Sequence, residues 1–259
     1  MTATEQPAVA FGDTRLNGRV ALVTGAAGHV GSALIGALAA AGADVAIAYH
    51  SGREVAEQLA ADIRSNGRRA IALPADLRDG GAAERLVDAV ADNFGSVDIL
   101  VANAGAGAAR SCEEVGAVEF DEAMAVNLRA PYLMARRALP LMIDRSWGRI
   151  LFVSSLAAWL GGPFGPDYSA SKAALHGLTH YFAGAAARHG VTVNTLAPAL
   201  VGEHSLAMMD EDSARAYTAT IPVGRIGNTD ELAAFAVAML ENGYLTNKVL
   251  TVDGGLLPR

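Results

Sequence analysis

The chain has 259 residues, of which 52% are hydrophobic and 18% are charged, and its formal net charge is −7 at pH 7. This length suits one large α/β domain or two small ones, and the apolar content can fill a sizeable core. The acidic balance, with no basic run, argues against nucleic acid as a partner. The single cysteine, Cys112, excludes an internal disulfide and fits a reducing compartment, so we expect a cytoplasmic protein.

The N-terminal segment, residues 1–15, has no basic stretch followed by an apolar one, which argues against a signal peptide and favours a loose arm. The most apolar stretch, Ala33–Tyr49, is interrupted by Gly42 and Asp44, so it predicts a helix, a turn and a strand rather than a membrane span. We therefore expect no membrane contact and one catalytic domain over residues 16–259.

Short apolar runs alternate with longer segments of helical pattern, such as Val55–Asn66 and Ala82–Asn93. This alternation predicts a parallel sheet with helices on both faces, and continuous apolar runs are typical of strands covered on both sides. The predicted class is a doubly wound, Rossmann-type α/β fold with about seven strands in a single domain. The predicted strands are Val20–Thr24, Val45–Tyr49, Ala70–Pro74, Ile99–Ala102, Ile150–Ser154, Val191–Leu196 and Val249–Val252.

The first predicted strand leads into a glycine-rich loop, and a helical segment follows it. Glycines at a strand-to-helix turn let the backbone approach a pyrophosphate at the helix N-terminus. A tight turn that only packs the helix onto the strand is the alternative. The residues expected to contact a dinucleotide here are Gly25, Gly28, His29, Val30 and Gly31.

The end of the second strand carries the signal for cofactor type. An acidic residue there bonds the ribose 2′-hydroxyl and selects NAD, but this chain has Tyr49 followed by His50 and Ser51. Because the chain has no carboxylate at this place, a 2′-phosphate would not be repelled. His50, Ser51 and Arg53 can bind such a phosphate. We therefore predict NADP(H) in preference to NAD(H), with Tyr49, His50 and Ser51 among the residues that contact it.

Lys172 is one of only two lysines in the chain, and it lies four residues after Tyr168. On a helix, residues four apart share a face, so the phenol and the ammonium would lie side by side. A nearby cation lowers a tyrosine pKa from about 10 towards the working pH, which suits the phenol to acid–base chemistry. An exposed helical pair without a catalytic role is the alternative.

These motifs together resemble the short-chain dehydrogenase/reductase family, in its compact single-domain branch, from about Arg19 to Gly255. Four positions depart from the family pattern: His29 stands where the second loop glycine usually falls, Ala102 replaces an asparagine, Ala199 replaces a glycine, and Glu203 replaces a threonine. The motifs that agree in order and spacing are the glycine loop, Asn103-Ala104-Gly105, Asn127, Ser154-Ser155, Tyr168 with Lys172, Asn194 before Pro198, and Val252-Asp253-Gly254-Gly255.

The resemblance implies a catalytic role for four residues. Tyr168 would donate a proton to a carbonyl oxygen, and Lys172 would lower the Tyr168 pKa and hold the nicotinamide ribose. Ser155 would bond the substrate oxygen. It lies 13 residues before Tyr168, the family spacing, whereas Ser154 would face the other side of the strand. Asn127 would hold a water that links Lys172 to solvent, unless it only bends its helix.

The resemblance also implies cofactor contacts beyond the glycine loop and the second strand. Asp76 would lie at the adenine edge, and capping of the next helix is its alternative role. We predict no metal site. The further implied contacts are Asp76, Leu77, Asn103, Ala104, Gly105, Tyr168, Lys172, Pro198, Ala199 and Val201.

The implied activity is that of an NADPH-dependent carbonyl reductase or alcohol dehydrogenase. Apolar residues with adaptable methionines favour a medium-sized hydrophobic ketone or secondary alcohol, and residues 203–225 would form a substrate lid. Dehydration or epimerisation, and a cofactor-binding sensor without catalysis, are the alternatives. The residues expected in the pocket are Trp159, Leu160, Phe164, Leu206, Met208, Met209 and Tyr217.

The helix that begins near Tyr168 carries many small residues, including Gly177 and Gly184, which let a second helix approach closely. Members of the family usually pair this helix across a two-fold axis. The resemblance therefore implies a symmetric homo-oligomer, a dimer or a tetramer, that acts on a small-molecule substrate.

Overall fold

The computed structural model describes residues 16–162, 164–202, 205–206 and 209–258. The predicted N-terminal arm, residues 1–15, lies outside the described residues. So do Glu203 and Met208 of the predicted lid.

Seven parallel strands form one sheet in the order β3-β2-β1-β4-β5-β6-β7, which confirms the predicted fold class. The order reverses at β1, because β2 and β4 both pair with it. Loops that follow β1 and β4 therefore separate and leave a crevice at the carboxyl edge of the sheet, where ligands bind in such folds. The strands are β1 Val20–Thr24, β2 Asp44–Tyr49, β3 Ala70–Pro74, β4 Ile99–Ala102, β5 Gly148–Val153, β6 Val191–Pro198 and β7 Lys248–Val252.

Helices cover both faces of the sheet, because successive strand residues point to opposite sides. Along β1, Ala21 and Val23 pack with α1, α2 and α9, whereas Val20 and Leu22 pack with α3, α5 and α7. The helices are α1 His29–Ala40, α2 Arg53–Ser65, α3 Ala82–Phe94, α4 Ala117–Met124, α5 Ala130–Asp144, α6 Ala157–Leu160, α7 Pro166–Ala186, α8 Glu211–Thr220 and α9 Thr229–Glu241.

Shorter helical turns complete the chain, among them a π-helical segment, Ala125–Arg129, that joins α4 to α5. In the part of the chain that the structure describes, no helix combines the length and the apolar character needed to span a bilayer.

Four strands extend beyond the bounds that the local sequence pattern predicts, β2 and β7 by one residue each and β5 and β6 by two. β5 begins at Gly148, which pairs with Val191, and β6 ends at Pro198, which pairs with Val252. A Cβ atom at Gly148 would lie 2.5 Å from the Met142 Cβ, so a residue without a side chain lets α5 pack closely on this strand. The difference arises because strand ends are set by pairing with neighbours that are distant in sequence.

Candidate active site

A cleft of about 1170 Å³ opens at the carboxyl edge of the sheet. Its volume is ample for a dinucleotide, since ligand sites in proteins usually span about 300–1,000 Å³. With the exception of Arg53, every residue expected to contact the cofactor lines it: Gly25, Gly28, His29, Val30, Gly31, Tyr49, His50, Ser51, Asp76, Leu77, Asn103, Ala104, Gly105, Tyr168, Lys172, Pro198, Ala199 and Val201.

The glycine loop leaves the amino end of α1 open to the cleft. A side chain at Gly31 would overlap the Gly25 carbonyl oxygen, so the helix can pack against the loop only because position 31 is glycine. Gly28 caps α1 without a side-chain hydrogen bond, and the first turn carries no acidic residue. The positive end of the helix dipole therefore faces the cleft, which fits the pyrophosphate of a dinucleotide.

Asn103 ties the ends of β1 and β4 together beside this loop. Its Nδ2 donates to the Thr24 carbonyl oxygen at 2.9 Å, and its backbone N–H donates to the Thr24 hydroxyl at 3.2 Å. Ala104 N–H donates to the same hydroxyl at 3.1 Å. These bonds fix the floor of the cleft between its two halves.

Charged side chains surround the end of the cleft next to β2 and β3. Arg78 donates to Asp76 at 2.7 Å, and its Nη2 lies 3.4 Å from His50 Nε2. Hydrogen bonds from Arg78 lower the pKa of the Asp76 carboxyl well below its usual range. Asp76 does not cap α3, which begins only at Ala82. Arg78 lines the cleft and is a site residue that sequence reasoning missed.

A simple signal could have found Arg78: it is the basic residue that follows Asp76 by two positions, just beyond β3. By contrast, the expected phosphate ligand Arg53 lies outside the cleft lining. Its guanidinium is 76% exposed and pairs with Glu57 at 2.7 Å. The expectation that Arg53 binds a 2′-phosphate is therefore not supported, because helix α2 directs this side chain to its own i+4 neighbour.

Tyr168 lies at the other end of the cleft between two covering groups. The Phe164 ring stacks on it with 4.7 Å between centroids, and a Cβ atom at Gly107 would lie 2.5 Å from its Cδ2. Burial raises the pKa of Tyr168, and the hydrogen bond with Ser155 opposes this only in part. The expected lowering of the pKa is wrong for the protein alone, because burial disfavours the charged phenolate.

Lys172 is 3% exposed and reaches the cleft one helical turn beyond Tyr168. Its Nζ donates to the Val153 carbonyl oxygen at 2.8 Å and lies 5.7 Å from the Tyr168 ring centroid. Burial lowers the Lys172 pKa to about 8. Gly105 makes room for the ammonium, since a Cβ atom there would lie 3.3 Å from Nζ.

The two serines at the end of β5 point in different directions, as the strand pattern predicts. The Ser155 hydroxyl bonds to Tyr168 and accepts from the Ala157 N–H at 3.2 Å. The Ser154 hydroxyl instead donates to the Lys172 carbonyl oxygen at 2.8 Å. The structure therefore brings Ser155, Tyr168 and Lys172 together and turns Ser154 towards the helix backbone.

Asn127 is fully buried in the π-helical segment and does not line the cleft. Its Oδ1 accepts from the Ala106 N–H at 2.7 Å, and its Nδ2 donates to the Ala106 carbonyl oxygen at 2.8 Å and to the Ser171 hydroxyl at 2.9 Å. These bonds hold the loop after β4 against α7. π-Helical turns are rare and are frequently found at functional sites. The expected water that links Lys172 to solvent through Asn127 stays a prediction.

Most of the expected apolar wall points elsewhere. Among its described members only Phe164 lines the cleft, where Leu200 joins it. Trp159 stacks on His176 with 4.6 Å between ring centroids, and Leu160 is 57% exposed. Pattern alone does not reveal on which side of a short loop a side chain will pack, and α6 turns these residues away from the cofactor.

Comparison with known proteins places this arrangement in context. The family model described as short chain dehydrogenase matches residues 19–214. A 3-oxoacyl-(acyl-carrier-protein) reductase of Synechocystis sp. is 32% identical over 247 residues, covering 94% of this chain and 99% of the relative. A D-threitol dehydrogenase of Mycolicibacterium smegmatis is 34% identical over 258 residues, covering 98% of each. The crystal structure of a blue fluorescent protein from a metagenomic library in complex with NADPH is similar, with a TM-score of 0.88, 32% identity, and coverage of 94% of this chain and 100% of that one.

Proposed function

We propose that this chain, which belongs to the short-chain dehydrogenase/reductase family, is an NADPH-dependent carbonyl reductase and alcohol dehydrogenase. Its proposed substrates are medium-sized hydrophobic ketones and secondary alcohols. Relatives named as reductases and dehydrogenases support an NAD(P)-dependent oxidoreductase. One observation carries the proposal. Ser155, Tyr168 and Lys172 meet at one end of a cleft whose other end holds the basic side chains of His50 and Arg78.

Tyr168 is suited to supply the proton. When bound, the reduced nicotinamide supplies the hydride to the carbonyl carbon. Burial raises the pKa of the Tyr168 phenol, so the hydroxyl is protonated at neutral pH and can donate to a carbonyl oxygen. Alcohol oxidation needs the phenolate instead. We therefore propose that reduction is favoured near neutral pH and that oxidation gains at alkaline pH.

Ser155 and Lys172 orient the reacting groups. The Ser155 hydroxyl bonds to Tyr168, and a substrate oxygen that replaces this bond can accept from both hydroxyls, which stabilises its developing charge. Lys172 has a pKa of about 8, so it is mostly charged at pH 7. One of its N–H groups donates to the Val153 carbonyl oxygen. Its other N–H groups can bind the hydroxyls of a ribose.

The preference for NADPH is supported by the charges at the adenosine end of the cleft. Tyr49 puts no carboxylate at the end of β2, and Arg78 lies against His50, where a 2′-phosphate can accept from both. Asp76 holds Arg78 in this position through the 2.7 Å ion pair. Arg78 therefore takes the role that the sequence pattern suggested for Arg53.

The substrate end is apolar on the side of Tyr168. Phe164 and Leu200 line it, and Ser205 contributes a hydroxyl. Apolar walls with one or two polar groups suit a hydrophobic carbonyl compound. We keep residues 203–225, which include α8, as the proposed substrate lid.

Exposed aromatic residues support a symmetric homo-oligomer. Tyr181 on α7 is 72% exposed and Tyr132 on α5 is 37% exposed, and both pack against Phe182. Aromatic groups are enriched at protein interfaces. Light scattering at micromolar concentration should give the mass of a dimer or a tetramer, and a monomeric mass would contradict this part of the proposal.

The proposed activity is tested by the loss of near-UV NADPH absorbance across a panel of ketones, diketones and cyclic or aromatic carbonyls. We expect consumption that disappears in the Tyr168→Phe variant. Binding of NADPH without consumption, together with conversion of a panel compound, would instead indicate non-redox chemistry. Binding without any conversion would favour a sensor.

A further inference from the structure

Three consecutive residues at the carboxyl end of β5 each contact α7. The Val153 carbonyl oxygen accepts from Lys172 Nζ at 2.8 Å, and the Ser154 hydroxyl donates to the Lys172 carbonyl oxygen at 2.8 Å. The Ser155 hydroxyl bonds to Tyr168. The strand end therefore holds the helix at two positions, four residues apart.

His176 adds a third position on the same face of α7, four residues beyond Lys172. Its Nε2 lies 3.0 Å from the hydroxyl oxygen of Ser154, whose residue is 2% exposed. Because a serine hydroxyl has one proton and Ser154 gives it to the Lys172 carbonyl, its oxygen must accept from His176. Nε2 therefore carries a proton, and Ser154 is held in a single orientation.

The imidazole of His176 is also held from the other side. The Trp159 ring lies on it with 4.6 Å between centroids and 33° between planes. Trp159 belongs to α6, whose first residue, Ala157, donates its N–H to the Ser155 hydroxyl. His176 thus contacts the residue before Ser155 through a hydrogen bond and the helix after Ser155 through ring stacking.

We propose that His176 is a positioning residue of the active site, which acts through Ser154 and Trp159 to set where Ser155 and Lys172 stand relative to the Tyr168 hydroxyl. The inference rests on the proposed reductase function, because it concerns the geometry of the same three groups. An aliphatic residue would fill this space, but it could not donate the second hydrogen bond that Ser154 receives beside its own bond to the Lys172 carbonyl. A misplacement of about 1 Å at reacting groups can cost about 100-fold in rate, so a small change in the orientation of Ser154 should lower kcat measurably.

The test compares His176→Leu with His176→Gln, since the glutamine amide can still donate to Ser154 whereas leucine cannot. We expect His176→Leu to lower kcat by about 10-fold, with the Kd for NADPH unchanged within about two-fold. We expect His176→Gln to recover most of kcat. If His176 only filled space, leucine would preserve kcat at least as well as glutamine, and this result would overturn the proposal.

A double-mutant cycle locates the route of the effect. If His176 acts through Ser154, then His176→Leu should change kcat little in a Ser154→Ala background. Fully additive losses would show that the serine is not the link and would contradict the proposal. This arm also stays informative when one single variant folds less stably than the other, and thermal unfolding of all variants reports that case.

A second readout does not depend on turnover. The ionisation of Tyr168 is isolated as the near-UV tyrosinate absorbance of each protein minus that of its Tyr168→Phe counterpart. The Ser155 hydrogen bond lowers the Tyr168 pKa, so its loss in His176→Leu should raise the titration midpoint by about half a pH unit, with His176→Gln close to the unchanged protein. If the unchanged protein consumes no NADPH, the reductase proposal fails and this titration still decides the positioning role. An unchanged midpoint in His176→Leu would refute that role.

Discussion

Buried charge is treated differently at the two edges of the sheet. At the amino edge, Asp98 is 1% exposed and lies 3.5 Å from Arg145 Nε and 3.8 Å from Arg19 Nη1. Its other oxygen accepts from the Val20 N–H and the Ser96 hydroxyl. At the carboxyl edge, Lys172 is 3% exposed, and within the described part of the chain it has no ion-pair partner.

Arg149 is a second buried charged residue at the amino edge. This residue is 6% exposed and donates to the carbonyl oxygens of Leu240, Gly148 and Gly190. The Trp147 ring lies within 3.9 Å of the Arg19 guanidinium and 4.3 Å of that of Arg149. The amino edge therefore pairs its buried carboxylate with arginines, and it gives Arg149, which has no ion-pair partner among the described residues, three carbonyl acceptors. At the carboxyl edge, Lys172 donates to one carbonyl oxygen, and its remaining N–H groups are left for a ligand, which is typical of functional sites.

The largest effect should follow removal of the Tyr168 hydroxyl. Tyr168→Phe should lower kcat by about 10²–10⁴-fold, because a positioned acid contributes that much to a proton transfer. The Kd for NADPH should stay within a few-fold, since the ring remains. Tyr244→Phe is the matched control, because this residue is 98% exposed. Steady-state kinetics with fluorescence titration of NADPH measures both, and loss of folding or of NADPH binding would make Tyr168 a structural residue.

Removal of the acid at the amino edge should affect stability and spare catalysis. Asp98→Ala leaves the Val20 N–H and two arginines without their buried partner, which should lower the free energy of unfolding by about 2–4 kcal/mol. Urea unfolding measures the change, and kcat per folded molecule should be unaffected. Asp88→Ala, which breaks the exposed pair with Arg137, is the control and should change little. A loss of kcat in Asp98→Ala would break the comparison between the two edges.

Replacement of the cation at the carboxyl edge should lower turnover and raise stability, whereas the Asp98 change lowers stability and spares turnover. Lys172→Met should abolish most turnover and raise the free energy of unfolding at pH 7 by about 1–3 kcal/mol, because a buried charge without a partner is costly. Burial lowers the pKa of Lys172 from 10.5 to about 8, so between these pH values the unfolded chain binds the proton and the folded protein does not. The unchanged protein should therefore gain stability with rising pH across this window, and Lys172→Met should lack that gain.

Urea unfolding at several pH values between 7 and 10.5 measures this difference. A parallel pH dependence of the two proteins would mean that the Lys172 ammonium is already satisfied in the folded state, and the contrast between the two edges would then be lost.

The smallest effect concerns the cofactor. Arg78→Ala should weaken NADPH binding by about 10-fold and leave NADH binding nearly unchanged, because the change removes a cation beside His50 and frees the Asp76 carboxylate to repel a 2′-phosphate. Arg53→Ala is the control, since its guanidinium lies outside the cleft. Equal losses for both nucleotides would place Arg78 away from the 2′-phosphate.

Much of the fold follows from patterns that act over a few residues. The bounds of β1, β3 and β4 agree with the prediction from apolar runs, and β1 and β4 are buried along their whole length, as expected of strands covered on both faces. The ends of β5 and β6 differ, because Gly148 and Pro198 enter the sheet only through their partners. The residues expected to contact the cofactor, except Arg53, line one cleft, since parallel strands bring their carboxyl ends to one edge.

The order of strands and helices, the glycine loop and the spacing of Ser155, Tyr168 and Lys172 follow from the amino-acid sequence, because they depend on local periodicity and on residue type. Which charges meet depends instead on how the chain packs. Arg78 rather than Arg53 faces His50. Burial raises the Tyr168 pKa, whereas the sequence pattern predicted that Lys172 would lower it. The reason is physical: exposure and distance between side chains arise from packing of segments far apart in the chain, and both govern electrostatic energy.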